Sequence, residues 1–205
     1  YYMKYKNQLV PTGKVNDVGA LIRTNVADSY RACVELEALW RINSTLSWTA
    51  NFTLSSNKIA EFNEVIYDYG ENFDDYIEVT NTYRNTDIAF SPSVIAGSGF
   101  VVTPIANLEV TLLTKYIGQQ FLDNTSNSSR VIDAYFINDL RIGYSWKPKG
   151  MREISLSGLM NNIFDVTYSS NGYTYGYFGG PTEYHQNFYY PQAGRNFMVM
   201  LALRF

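Results

Sequence analysis

Gly194-Arg195-Asn196-Phe197-Met198-Val199-Met200-Leu201-Ala202-Leu203-Arg204-Phe205 closes the chain. From Phe197 every second side chain (Phe197, Val199, Leu201, Leu203, Phe205) is large and apolar, and Met198, Met200, Ala202 and Arg204 interleave. A period of two belongs to a β-strand. A soluble protein seldom exposes such an edge, because an unpaired apolar strand templates aggregation. A membrane barrel needs one, because its last strand pairs with a neighbour and faces lipid. The competing expectation from these residues is a buried last strand of a soluble sandwich.

Composition narrows the choice. Of 205 residues 46% are apolar and 17% charged, with a formal net charge of −3, so a nucleic-acid partner is not expected. There are 18 Tyr, 12 Phe and 3 Trp, against one His and one Cys. Tyrosine tolerates both apolar and wet surroundings, which suits membrane interfaces and binding loops. A single Cys33 excludes an internal disulfide framework and a Cys-based metal cluster. No apolar run approaches the roughly 20 residues of a spanning helix. Any membrane crossing is therefore by strands.

Alternation recurs along the chain. Tyr30, Ala32, Val34, Leu36, Ala38, Trp40 and Ile42 share one face, with Arg31, Cys33, Glu35, Glu37 and Arg41 on the other. The pattern restarts at Leu46, Trp48, Ala50, Phe52 and Leu54, so a tight turn near residue 43 makes a hairpin. Further strands are expected at residues 1–10, from Phe90, and at 108–116, 134–146, 154–160 and 197–205. These are eight strands in all. Long loops are expected at 11–29, 56–87, 118–131 and 165–193, and short turns near 43, 104 and 149. Outer-membrane barrels alternate short periplasmic turns with long extracellular loops.

Trp40, Trp48 and Trp146 all fall beside the short turns, on the apolar faces of their strands. With Tyr144 they form an expected interfacial girdle, whereas a sandwich core places Trp mid-strand. The fold expected is an all-β transmembrane antiparallel barrel. The polar faces, including Arg31, Glu35, Glu37, Arg41, Glu109, Lys115, Asp139 and Arg141, belong to the lumen.

Two stretches carry a resemblance: Asn161-Asn162-Ile163-Phe164-Asp165-Val166-Thr167-Tyr168, and Tyr189-Tyr190-Pro191-Gln192-Ala193-Gly194-Arg195-Asn196-Phe197. They resemble the C-terminal end of TonB-dependent outer-membrane receptors, with Ile163 where Leu is usual. Gln8 to Gly13 and Asn25 to Glu37 resemble the Bacteroidetes-type members. The resemblance implies one barrel segment over 1–205, the last eight strands of a 22-stranded plugged barrel in a Gram-negative outer membrane. It implies TonB-powered uptake of a scarce nutrient, siderophore-iron foremost, with cobalamin or an oligosaccharide as alternatives, and a plug lying before residue 1. It implies further partners in lipid or lipopolysaccharide and in the barrel-assembly machinery, for which Leu201, Leu203 and Phe205 resemble the terminal signal. The alternative left open is a self-contained eight-stranded barrel with a structural or adhesion role.

Candidate binding residues lie in the aromatic loop 165–193: Tyr173, Tyr175, Tyr177, Phe178, Tyr184 and His185. Rings spaced by Gly and Asn grip a flat, partly apolar ligand through stacking and phenolic hydrogen bonds. The acidic stretch 61–87 lacks the spacing of a calcium loop and is expected to be solvated. One His supports neither a metal site nor a catalytic arrangement. No cofactor, metal or covalent chemistry is expected.

Overall fold

The computed structural model describes residues 1–73 and 75–205, and among these it contains strands and no α-helix. In chain order they are β1 (Tyr2–Val15), β2 (Leu21–Arg41), β3 (Leu46–Asp68), β4 (Ile77–Asp87), β5 (Val94–Ile105), β6 (Leu108–Ile117), β7 (Gln120–Phe121), β8 (Val131–Ile132), β9 (Tyr135–Trp146), β10 (Glu153–Asn161), β11 (Ser169–Gly179), β12 (Thr182–Pro191) and β13 (Asn196–Arg204). Eight form one path, β1-β2-β3-β5-β6-β9-β10-β13, antiparallel throughout. These are the eight strands expected from alternation. β1 and β13 lie at its two ends and are not paired with each other among the described residues, whereas a self-contained eight-stranded barrel bonds them.

Register fixes the two faces. The rows Trp40↔Trp48↔Phe100 and Leu36↔Phe52↔Ala96 run across three strands on the apolar side. On the other side Glu109, Arg141, Met198 and Met200 line one concavity, and Glu37, Asn51 and Lys115 another, so the polar set faces inward. Phe197, Val199, Leu201 and Leu203 are exposed on β13, followed by Phe205. Polar groups on the apolar face are paired locally: Trp48 Nε1 donates to Ser98 Oγ at 2.8 Å, and Thr114 Oγ1 donates to the Ser98 carbonyl at 3.3 Å. An unsatisfied polar group facing lipid costs several kcal/mol, so this pairing matters.

One end carries the short turns. Asn43 Oδ1 accepts from Thr45 N (2.8 Å) and Leu46 N (2.9 Å), closing the first as an Asx turn. The second falls at 106–107 rather than near 104, because Asn107 adopts the positive φ (66°) that a two-residue hairpin turn demands. Trp40, Trp48, Tyr144 and Trp146 all lie toward this end, and the rings of Tyr144 and Trp146 stack at 5.6 Å.

At the other end three expected loops are ladders. The stretch 11–29 is mostly strand, turning only at Asn16, whose Oδ1 accepts from Val18 N and Ala20 N. The stretch 56–87 is a hairpin of β3 with β4, and 165–193 contains the β11–β12 hairpin. β3 pairs with β5 only over Leu46–Leu54, then with β4 over Lys58–Asp68, so half of it stands above the barrel wall. A change of parity hides these ladders from a period-two reading. Asn7 (φ 53°) and Asn85 (φ 54°) sit where the pairing skips Asn7/Ala27 and Ala60/Asn85. Below that level the buried side chains include Ser29, Cys33, Asn57 and Ile59; above it they include Val10, Val26, Phe62, Glu64 and Ile66.

The apolar core therefore lies at the loop end, where Val10, Val26, Ile59, Phe62 and Ile88 pack together with Tyr83. The 118–131 segment, with β7 and β8 at its ends, folds against it. Asn124 accepts from Ala89 N (2.8 Å) and donates to the Pro11 carbonyl (2.6 Å). Gly13 (φ +88°) is required here, because a Cβ would stand 2.6 Å from that of Asp123.

Candidate binding site at the loop end

The C-terminal hairpin roofs this core. Its β11 pairs in parallel with the tip of β3 (Tyr177↔Tyr67, Phe178↔Asp68), and Tyr69 N donates to the Phe178 carbonyl at 3.0 Å. Alternation splits the hairpin into two faces. One is aromatic: Tyr173 stacks on Phe188 at 4.8 Å and Tyr177 on Tyr184 at 5.1 Å. The other grips the 118–131 segment, through Asn187 Nδ2 to the Ser129 carbonyl (2.7 Å) and Tyr189 OH to the Val131 carbonyl (2.9 Å). Gly172 lets it come this close, since a Cβ there would meet the Phe188 carbonyl and Leu122.

Between hairpin and wall is a cavity of about 540 Å³, lined by Tyr173, Tyr175, Phe188, Tyr67, Lys14 and Glu64 among others. Its volume lies within the 300–1,000 Å³ usual for small-molecule sites. Of the six residues expected to contact ligand, Tyr173 and Tyr175 line it. Tyr177 and Tyr184 lie higher, where Tyr177 packs edge-on to Tyr69 and Phe73. Phe178 lies on the other face of its strand. His185 Nε2 is 2.7 Å from Thr174 Oγ1, with Thr174 buried.

Beneath the cavity is a charge cluster that alternation does not reveal. Arg130, with 3% of its side chain exposed, places Nη1 2.7 Å from Glu64 Oε1 and 2.9 Å from Asp123 Oδ2, and Nη2 2.8 Å from Glu183 Oε1. Four segments meet at one guanidinium: β3, the two ends of 121–130, and β12. Burial raises the Glu64 carboxyl above its ordinary value, outweighing the opposing pull of Arg130. Tyr83 donates to Glu64 Oε2 at 3.1 Å, and burial beside that carboxylate pushes its phenol up to about 12. Burial lowers Lys14, whose Nζ donates to the Val65 carbonyl at 2.5 Å. Burial also lowers His185, reinforced by Arg130, so its imidazole is neutral at pH 7. Glu64 thus belongs to a buried ion-pair network, contrary to the expectation of a solvated acidic loop. Asp74 of that acidic stretch lies outside the described residues. Among the described residues no group of three or more His, Cys, Asp or Glu side chains is placed to hold a metal ion.

The two C-terminal motif stretches meet in space. Asn162, buried with φ 49°, accepts from Val166 N at 2.9 Å, donates to the Val166 carbonyl at 2.9 Å, and through its own N–H donates to Asp139 Oδ1 at 2.8 Å. Asp165 Oδ1 accepts from Arg195 N at 2.7 Å, and Gly194 leaves room, since a Cβ there would stand 2.7 Å from that oxygen. This clasp sets where the chain re-enters the barrel as β13.

Residues 1–163 match the family model described as TonB dependent receptor-like, beta-barrel. A search of curated proteins finds no match. Similar solved structures include the siderophore receptor PiuA from Acinetobacter baumannii (17% identity, TM-score 0.64, covering 100% of this chain and 25% of that one). The ferric yersiniabactin uptake receptor FyuA from Yersinia pestis is similar at 20% identity and TM-score 0.64, over 100% of this chain and 26% of that one. The copper transporter OprC gives 17% identity and TM-score 0.62, over 100% and 28%. The chain spans about a quarter of the length of these solved structures.

Proposed function

This chain belongs to the TonB-dependent receptor β-barrel family, and we propose that it supplies barrel wall and extracellular ligand loops to an active importer in a Gram-negative outer membrane. On this reading residues 1–205 are a single segment, the last eight strands of a plugged 22-stranded barrel. A plug and earlier strands complete it, and TonB acts on the plug. The short-turn end with Trp40, Trp48, Trp146 and Tyr144 is periplasmic, and the loop core is extracellular. The assembly machinery engages the end of β13 at Leu201, Leu203 and Phe205. The chain itself performs no covalent chemistry.

The observation that carries the reading is the phenol-lined cavity on the inner side of the loop end. Tyr173, Tyr175, Tyr67 and Phe188 offer ring faces, while Lys14 and Glu64 add one charge of each sign. That mixture suits a flat chelate with aryl rings and ionised donors, and a ferric siderophore is the substrate class it fits best. Among the similar structures, PiuA is a siderophore receptor and FyuA a ferric yersiniabactin uptake receptor. The test is a fluorescence-quenching titration of the full-length receptor with a ferric tris-catecholate, beside cobalamin and a maltooligosaccharide. Replacing Tyr173 and Phe188 together by Ala should raise Kd about tenfold, from roughly 0.5–1.5 kcal/mol for each lost aromatic contact. An unchanged Kd, or saturable binding of the sugar alone, removes the siderophore assignment.

A further inference from the structure

Asn171 is the only asparagine of the chain that is followed by glycine. The pair sits at the start of β11, where the ladder with β12 shifts register between Ser169 and Asn171, and the Asn171 side chain is exposed there. Its Oδ1 accepts from the N–H of Gly172, its own successor, at 2.8 Å. Oδ1 is bonded to Cγ, so the Gly172 nitrogen stands beside the amide carbon of the preceding side chain. That approaches the separation of about 3–3.5 Å from which an intramolecular attack begins.

Other exposed asparagines are held differently. Asn43 Oδ1 accepts from Thr45 N and Leu46 N, Asn16 Oδ1 from Val18 N and Ala20 N, and Asn127 Oδ1 from Ser129 N. These side chains are engaged with nitrogens two to four residues on, and their immediate successors Ser44, Asp17 and Ser128 carry side chains that crowd an attack. At 172 no side chain fits. A Cβ there would stand 2.5 Å from the Phe188 carbonyl oxygen and 3.0 Å from Leu122 Cδ2. The packing that admits only glycine is what leaves this nitrogen unshielded.

We propose that Asn171-Gly172 is a self-modification site, at which the Gly172 nitrogen closes on Asn171 Cγ to form a cyclic imide. Solvent takes the Gly172 N–H proton, the N–Cγ bond forms, and the bond from Cγ to the side-chain nitrogen breaks; that nitrogen recovers the proton and leaves as ammonia. Water then opens the ring at one of its two carbonyls. Opening at Cγ leaves Asp. Opening at the main-chain carbonyl leaves isoAsp, whose backbone runs through Cβ and Cγ and is one atom longer. The balance is one water consumed and one ammonia released.

The extra atom falls where the hairpin has least room for it. Gly172 pairs with Tyr189, whose hydroxyl donates to the Val131 carbonyl at 2.9 Å, and the next residue, Tyr173, stacks on Phe188 at 4.8 Å. Lengthening β11 by one atom shifts these partners against β12, so isoAsp loosens the roof of the cavity, and the change runs one way. The chain undergoes this step and works it on no substrate. The site stands on the geometry of the hairpin, beyond the uptake reading and independent of it.

The test holds folded full-length receptor in mild detergent under weakly alkaline conditions, and follows tryptic digests over time by tandem mass spectrometry that separates Asp from isoAsp. Asn171 should convert at least about tenfold faster than Asn16, Asn43 and Asn127 in the same sample, through its placed and unshielded nucleophile, and should give both products. The rate should rise with pH, because the attacking nitrogen must first give up its proton. Asn171→Gln, whose ring would need six members, should stay intact. Amide exchange of β11–β12 should lose protection in the aged wild type and keep it in freshly prepared Asn171→Asp, which has the new charge without the longer backbone. Conversion at Asn171 no faster than at the three comparators overturns the proposal without relying on any variant. So does conversion to Asp alone, which is direct hydrolysis of the side chain, or conversion only after the receptor is unfolded. Unchanged exchange in protein shown to carry isoAsp overturns the loosening of the hairpin.

Discussion

Replacing Arg130 by Gln should unlatch the loop end while leaving the barrel wall folded. The guanidinium is 3% exposed and its partners Glu64 and Asp123 are 9% and 1% exposed, so the variant strands two buried carboxylates side by side. Breaking a buried pair by removing one partner costs about 3–5 kcal/mol. Glu183, 42% exposed, adds little, because solvent takes over its charge. At about 1.4 kcal/mol per decade, amide exchange in 118–132 and 182–191 should accelerate by roughly two to three decades. Exchange across β9–β10 should not move. The deficit should also depend on pH. Glu64 is already raised by burial, and loss of the opposing cation raises it further. A carboxyl raised in the folded state contributes stability below its unfolded value near 4.3, and that contribution is lost as pH rises through the folded value. The variant should therefore be worst at pH 7–8 and partly recovered at pH 5. Arg130→Met combined with Glu64→Gln and Asp123→Asn should return exchange to within about one decade of wild type, since a pair removed whole leaves no orphan charge. Acceleration under tenfold in Arg130→Gln, or a defect indifferent to pH, would refute the view that this cluster holds the mouth together.

Two further outcomes follow from the same geometry. Because burial lowers His185, its neutral form stabilises the hairpin above pH about 6.5 and that stability is lost as pH falls toward the folded value; exchange of β11–β12 amides should quicken between pH 6.5 and 5, and His185→Gln should abolish the dependence. Asn162→Ala removes a buried side chain bonded to both the N–H and the carbonyl of Val166; a loss of about 1–3 kcal/mol should appear as faster proteolysis at 162–195, with Asn162→Asp recovering only the acceptor half.

The wall was legible because one physical rule governs it. Between the short turns and the level of Asn7 and Asn85, lipid is expected on one side and lumen on the other, so Leu36, Phe52 and Leu54 alternate with the polar Glu35, Glu37, Asn51, Thr53 and Ser55. Above that level water replaces lipid and the apolar side faces the core. Outward positions such as Glu61 and Asn63 become polar while inward Phe62 and Ile66 are apolar, at shifted parity. A fixed-parity reading therefore takes a ladder for a loop, as at 56–87. The aromatic hairpin was legible in composition and not in geometry: its rings announce a gripping surface, but the pairing Tyr177↔Tyr184 decides which of them share a face. Arg130 was invisible for a different reason. Its partners Glu64 and Glu183 lie 66 and 53 residues away, and no local period records contacts of that range; only Asp123, 7 residues away, is local.

The two halves of the molecule are stabilised by different solvents, and this bears on the ligand capture proposed for the mouth. The wall needs no core, because its outward side chains leave water for lipid. The mouth stands in water and carries its own core of Val10, Val26, Ile59, Phe62 and Ile88, pinned by Asn124 and Arg130. A loop set with its own core has already lost most of its conformational entropy before any ligand arrives, so the binding proposed at Tyr173 and Phe188 need not supply that ordering cost. The same core is expected to make the mouth a cooperative unit of its own, opening first at the Arg130–Glu183 contact, where Glu183 is the least buried member of the cluster, while the ladder below stays paired. On the proposed function, capture and release at the mouth are thereby decoupled from the integrity of the barrel.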